Sequence, residues 1–360
     1  MRNKTVPCFV AIACLLNAEQ QQPAATAPGV APQADFHETL KARLDPRLPP
    51  YKKVPSRLSG VIRAAGADTV ETLVQYWIEG FTKIYPGIQV KMDAKTVTPG
   101  VNALVDGSAD IVPIAREPLP KETIAYNQKF GHPPLAIEVG GGAFRIPGKS
   151  PAVVFYVNKA NPVEKVTLAQ LDAIISGARK RGYKEDILTW GQLGATGDFA
   201  NARIHVYGIK RPNGIPHYIE MRVSLGGEFR DSTRELTSDG NTRVLYKVAQ
   251  SVAEDPYGIG YGSLVHVDTV KAHAKVLALA EQENSPYYQP TFQNVLNRLY
   301  PLARPIYIYL NQESGRPIDQ NTREFIKYAL SKEGQGAVVR EGLLLPLSAG
   351  AATRERAKLK

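Results

Sequence analysis

The stretch from Ser59 to Met92 constrains the fold more than any other. Ser59-Gly60-Val61-Ile62-Arg63 reads as a strand. After Gly66-Ala67-Asp68-Thr69, the apolar residues Val70, Leu73, Val74, Trp77, Ile78 and Phe81 recur at the i, i+3, i+4, i+7 spacing of a helix with one buried stripe. Asp68 is a natural N-cap, with Glu71 three residues on, and Tyr85-Pro86-Gly87 is the stop. Ile88-Gln89-Val90-Lys91-Met92 then begins the next strand.

The same rhythm runs on. A short helix at Gly100–Asp106 leads to a strand at Asp110–Ile114. Further strands are expected at Ala152–Asn158, Arg203–Ile209, Gly258–Tyr261, Lys275–Leu279 and Pro305–Leu310. Helices are expected at Leu168–Ser176 (Thr167 cap, Gly177 stop), Asn241–Ala253 and Thr322–Arg340. Such alternation predicts an α/β fold with helices packed on sheet faces. The Gly140-Gly141-Gly142 and Pro147-Gly148-Lys149 cluster is a loop between domains or an extended hairpin turn. A chain of 360 residues is long enough for two domains or one large one.

The ends differ from the body. Arg2 and Lys4 precede the apolar run from Val6 to Leu16, which ends near Asn17-Ala18 as a secretory leader does. An alternative is lipidation of Cys14. Both cysteines, Cys8 and Cys14, lie in this leader, so no disulfide or cysteine metal site is expected in the body. Gln20 to Pro32, rich in Gln, Ala and Pro, reads as a disordered tether. The net charge is +10, but residues 1–57 and 351–360 supply +7 of it. A nucleic-acid binder concentrates its basic residues on the folded body, so none is expected as a partner.

Enzyme constellations are missing from the sequence. It has no Gly-x-x-x-x-Gly-Lys-Ser/Thr loop, no His-Glu-x-x-His and no Gly-x-Ser-x-Gly. The six histidines (37, 132, 205, 217, 266, 273) are scattered, and Gly258-Ile259-Gly260-Tyr261-Gly262 lacks the offsets of a dinucleotide fingerprint. No catalytic residue, cofactor or metal is expected.

A series of segments, each weak alone, occurs in one order over about residues 50–347. They are Gly66-Ala67-Asp68-Thr69; Trp77, Phe81 and Tyr85-Pro86; Ala103 to Ile111 running on to Arg116-Glu117; and Tyr156-Val157-Asn158-Lys159-Ala160-Asn161-Pro162. Then follow Leu168 to Gly177, Thr189-Trp190-Gly191-Gln192-Leu193-Gly194, Tyr257 to Tyr261, Tyr300-Pro301-Leu302-Ala303-Arg304-Pro305 and Ser331 to Gln335. The set resembles the phosphate ABC-transporter substrate-binding protein (PstS-like) family of periplasmic binding proteins.

The resemblance implies an α/β, two-lobed periplasmic-binding-protein-like fold with a hinge, two crossovers and an inter-lobe ligand cleft. The expected organisation is a signal peptide at 1–18, a tether and N-terminal segment at 19–56, lobe 1 at 57–150 plus 266–347, lobe 2 at 151–265, and a basic tail at 348–360. The implied role is capture of phosphate or a related small oxyanion for an ABC permease, by a monomer that is periplasmic or secreted. The other expectation is a divergent, non-transport member acting as a sensor, scaffold or adhesion protein, or taking a less charged ligand.

A buried anion needs many donors, and helix N-termini supply them. The implied ligand residues are Asp68, Thr69, Thr98, Arg116, Arg211, Asn213 and Gly214. Asp68 and Thr69 are equally readable as helix caps, and Lys210 and Arg211 as solvated loop charges. Where the family carries hydroxyls, this chain has Ala67, Val97, Pro99, Asn213 and Ile215, while Ile209 stands at the family's arginine. A hydrogen bond to a charged group is worth about 1.5–3 kcal/mol, so these losses weaken the expectation of tight phosphate binding. The role of the segment Gly140–Lys149 is left open.

Overall fold

The computed structural model describes residues 42–95, 97–239, 243–312 and 316–359. The expected leader, Cys14 and the tether up to residue 41 lie outside the described residues.

Two five-stranded sheets carry the fold. The first combines β1 (Gly60–Ala67), β2 (Ile88–Lys95), β3 (Ile111–Ile114) and β4 (Leu135–Gly141) with β12 (Pro305–Leu310), in the order β2-β1-β3-β12-β4. β1 is parallel to β2 and β3, and β12 is antiparallel to β3 and β4. Parallel neighbours require crossovers. α1 (Glu71–Ile84), α2 (Val97–Asp106) and α3 (Pro120–Phe130) follow β1, β2 and β3 in turn. The α1 stripe is buried as its spacing predicts: Leu73, Val74, Trp77 and Phe81 are at most 1% exposed. Trp77 also donates Nε1–H to the Gly334 carbonyl at 2.8 Å, tying α1 to α10 (Lys332–Glu341).

The second sheet is β10 (Ala274–Val276), β5 (Val154–Asn158), β9 (Gly258–Gly262), β7 (His205–Ile209) and β8 (Arg234–Leu236), adjacent in that order. A two-stranded sheet of β6 (Lys165–Thr167) and β11 (Ala278–Ala280) stands beside it. α4 (Leu168–Ile175), α5 (Gly214–Arg222) and α6 (Val244–Glu254) are its longer helices. Thr167 caps α4 as expected, accepting from the Gln170 amide at 3.1 Å.

The sheets are joined twice. The Gly142 amide donates to the Arg304 carbonyl at 2.9 Å and the Val153 amide to the Leu302 carbonyl at 3.0 Å, so the crossovers run side by side. The segment from Gly140 to Lys149 folds back on itself between the sheets, with the Ala143 amide on the Lys149 carbonyl at 2.8 Å. A Cβ on Gly142 would stand 1.8 Å from the Ser150 carbonyl oxygen, so only glycine allows this approach.

Several expectations are corrected. Asp68 makes no side-chain cap, because β1 extends through Ala67 and Asp68 opens a 3-10 turn, Asp68–Val70, ahead of α1. The single helix expected at Thr322–Arg340 is two, α9 (Gln320–Ala329) and α10. Ser331 caps the second by accepting from the Gly334 amide at 3.2 Å, and a side chain at Gly334 would stand 2.2 Å from the Tyr328 carbonyl.

Lys275–Leu279 divides between β10 and β11, in different sheets. Residues 266–303, expected with the first lobe, pack with the second: Leu277, Leu279, Val295, Tyr300 and Leu302 share its core with Val154 and Ile259. The tail expected at 348–360 contains α11 (Ala349–Ala357), whose buried Ala352 and the following Leu359 join the first core. Of the 19–56 segment, the described part docks on that core through Leu48 and Tyr51, the latter donating to Glu324 at 2.9 Å.

Candidate anion-binding site

Six of the seven residues expected to bind ligand follow the carboxyl ends of β1, β3 and β7. That edge is where open parallel sheets take ligands, because helix N-termini converge there. The seventh, Thr98, has a side chain that lies outside the described residues.

Asp68 is exposed in the turn after β1. Thr69 is half-buried, and its carbonyl accepts from Lys149 Nζ at 2.7 Å. Lys149 also meets Glu341, a buried carboxylate, at 3.2 Å. The crossover segment is therefore pinned to the start of α1.

Arg116 is 13% exposed and committed to its own lobe. Its Nη1 and Nη2 donate to the two carboxylate oxygens of Glu122 at 2.8 and 2.7 Å, and Nη1 also donates to the Glu117 carbonyl at 2.7 Å. Glu122 accepts from the Leu119 amide at 2.7 Å as well, so the pair closes the first turn of α3. The guanidinium charge is thus matched before any ligand arrives.

Arg211 is likewise engaged by its own lobe. Its Nε donates to Glu235 at 2.5 Å, Nη1 lies 3.7 Å from Glu220, and the guanidinium rests 5.6 Å from the centre of the Phe229 ring. Asn213 caps α5, accepting from the Ile215 amide at 3.2 Å. Ile209, expected from the sequence to stand where the family has its arginine, is a core residue of the second lobe.

The lobes meet where α5 begins. A Cβ on Gly214 would lie 3.5 Å from Arg116 Cδ, and His217 Nε2 is 2.9 Å from the Pro118 carbonyl oxygen. Burial opposes charge on His217, but Glu220, the Pro118 carbonyl and Glu117 outweigh it and raise its pKa above the ordinary value. The structure therefore brings Arg116 and Gly214 together and turns Arg211 elsewhere.

The sequence reading missed Arg304. This residue is 8% exposed at the second crossover. Its Nη2 donates to the Ala115 carbonyl at 3.2 Å, beside Arg116, and its guanidinium stands 5.1 Å from the centre of the Tyr218 ring on α5. It touches both lobes, and among the described residues it has no carboxylate partner. A desolvated cation left in this way is costly unless an anion joins it. The signal was a charge between Ala303 and Pro305 at the head of an apolar strand.

The comparisons with known proteins agree with this architecture. A profile described as a PBP superfamily domain matches residues 23–333. The phosphate-binding protein PstS of Pseudomonas aeruginosa is 34% identical over 313 residues, 87% of this chain and 91% of that one. Protein SphX of Synechococcus elongatus is 28% identical over 81% of this chain and 79% of its own length. The crystal structure of PstS from Borrelia burgdorferi, 19% identical, superposes with a TM-score of 0.50 over 80% of this chain and 99% of that one, a likeness of fold. On the matched profile and the identity to the Pseudomonas protein, this chain belongs to the PBP superfamily and, within it, to the PstS family.

Proposed function

We propose that this protein captures phosphate or a related small oxyanion between its lobes and delivers it to an ABC-type permease outside the cytoplasm. The observation that carries the reading is Arg304, a buried guanidinium between the lobes with no carboxylate partner among the described residues. An oxyanion there gains a charge-assisted bond and relieves the desolvated cation. In this reading the amides at the start of α5, where Gly214 meets Arg116, and the Thr69 hydroxyl supply further donors. The name of the Pseudomonas relative, a phosphate-binding protein, supports the ligand class.

The moving bodies in this proposal are residues 57–142 with 304–359, and residues 151–303, hinged at the paired crossovers. No catalytic step is assigned. Export by the leader at 1–18 and action as a monomer belong to the same reading.

Isothermal titration of the leaderless protein with inorganic phosphate tests it. Saturable heat below millimolar ligand is expected, and no heat from folded protein at millimolar phosphate refutes it. A second reading, a less charged ligand, is favoured by the carboxylates already matched to Arg116 and Arg211. It predicts that a monovalent oxyanion binds more tightly than sulfate or phosphate in the same titration.

A further inference from the structure

A cavity of about 670 Å³ opens between the lobes, and none of Asp68, Thr69, Arg116, Arg211, Gly214 and Arg304 lines it. Its wall on the first lobe includes Glu117, Glu138 and Tyr307, and its wall on the second includes Tyr218, Glu281 and Tyr300. Its volume falls within the range of small-molecule sites.

The charges of this cavity cancel unevenly. Arg298 meets Glu138 at 2.7 Å, and Glu281 is held by Arg222 at 2.5 Å and by Arg181 at 3.4 Å, so both of these carboxylates are matched. Glu117 is different. Among the described residues its carboxylate has neither an ion pair nor a hydrogen bond, and Oε2 is buried. Arg354, the remaining cation of the lining, is exposed and pairs with no carboxylate among the described residues.

The charge on Glu117 is felt by the tyrosines around it. Burial raises the Tyr218 and Tyr307 phenols above their ordinary value; the negative charge of Glu117 adds to the rise in both, joined by Glu138 at Tyr307, while Arg304, Arg222 and Arg298 oppose it at Tyr218 and Arg298 at Tyr307. The Tyr300 hydroxyl, also buried, has no hydrogen-bond partner. A buried polar group left unpaired in a folded protein calls for a missing partner, and here two such groups belong to residues of one cavity.

A carboxylate among phenol rings is complementary to a positive charge carried on carbon. The carboxylate supplies the counter-ion, ring faces attract the cation, and phenol oxygens accept from its N–H groups. Met221 and Leu299, 48% and 44% exposed, also line the cavity and offer apolar surface to an alkyl chain. Beside Glu117 an anion would be repelled. We propose that this cavity is a second ligand site, separate from the anion site, that takes a small organic ammonium compound. Because both lobes supply its walls, an occupant bridges them.

Three probes with the same chain and different heads test the assignment: butylammonium, 1-butanol and butyrate, titrated into the leaderless protein and followed by tyrosine ring NMR shifts. Butylammonium is expected to bind at least about tenfold more tightly than 1-butanol, and butyrate more weakly than either. Glu117→Gln is expected to bring butylammonium down to the 1-butanol level without weakening the binding of phosphate. Tyr307→Leu, which keeps the carboxylate, is expected to cut the preference for ammonium over alcohol about fivefold. Equal binding of ammonium and alcohol by the parent overturns the proposal. So does a preference that survives Glu117→Gln.

Discussion

Replacing Arg304 separates a ligand anchor from a structural arginine. In Arg304→Met the side chain keeps most of its length and loses its charge. The unliganded protein loses one hydrogen bond, to the Ala115 carbonyl, which still accepts from Ser150 Oγ at 2.8 Å, and one contact with the Tyr218 ring. The hydrogen bond, from a charged donor, is worth about 1.5–3 kcal/mol and the ring contact about 1 kcal/mol, and the relief of an uncompensated buried charge offsets them. Stability should therefore fall by less than the roughly 3–5 kcal/mol that breaking a matched buried pair costs.

Phosphate affinity should change far more. A hydrogen bond to a charged group is worth about 1.5–3 kcal/mol, which at 1.4 kcal/mol per decade is about 10- to 150-fold in Kd. Arg116→Met should behave in the opposite way. It strips a two-oxygen partner from Glu122, which is 6% exposed, and breaking such a pair costs about 3–5 kcal/mol of stability. Phosphate titration and urea denaturation on parent, Arg304→Met and Arg116→Met give both readouts. If Arg304→Met binds phosphate within threefold of the parent, the assignment of Arg304 is wrong, however the other variant behaves.

Other substitutions test the frame around the site. Gly142→Ala puts a methyl 1.8 Å from the Ser150 carbonyl oxygen and should cost about 3 kcal/mol, read as a lowered urea midpoint; an unchanged midpoint means the crossovers are not so tightly apposed. Trp77→Phe leaves the Gly334 carbonyl without its buried donor and should cost about 2 kcal/mol in the same measurement. His217 has a pKa above its ordinary 6.5, so its contribution is complete below that value and is lost as pH rises through the native pKa. Comparison of parent and His217→Phe should show the parent losing stability over that rise while the variant does not, and parallel pH profiles would contradict the lobe-bridging contact.

The frame was legible because it is written locally. The stripe from Leu73 to Phe81 repeats with the helical period, Thr167 stands three residues before Gln170, and each is decided within a few turns of chain. Boundaries failed where a distant contact decides them. Nothing in 266–303 says which of two cores Leu277 and Tyr300 will enter, whereas the break between α9 and α10 was locally marked by Ser331 three residues before Gly334. The basic composition of 348–360 concealed the small residues Ala351 and Ala352, which bury one side of α11.

The site was less legible for a sharper reason. An arginine's role depends on which carboxylate reaches it, and those carboxylates are not marked by spacing. Arg116 and Arg211 sit in the loops where an anion would be met, yet Glu122 and Glu235 reach them first. Arg304 lies in a crossover and escapes pairing because the residues packed on it are a carbonyl and a tyrosine ring. Loop position alone therefore picks out the matched arginines and overlooks the unmatched one. On the sequence reading that hydroxyls are missing at Ala67 and Ile215 and an arginine at Ile209, that unmatched charge becomes, under the proposed function, the main attraction for an anion. The demand on affinity thus falls on one guanidinium rather than on a ring of hydroxyls, and geometric selectivity among tetrahedral oxyanions should relax with it.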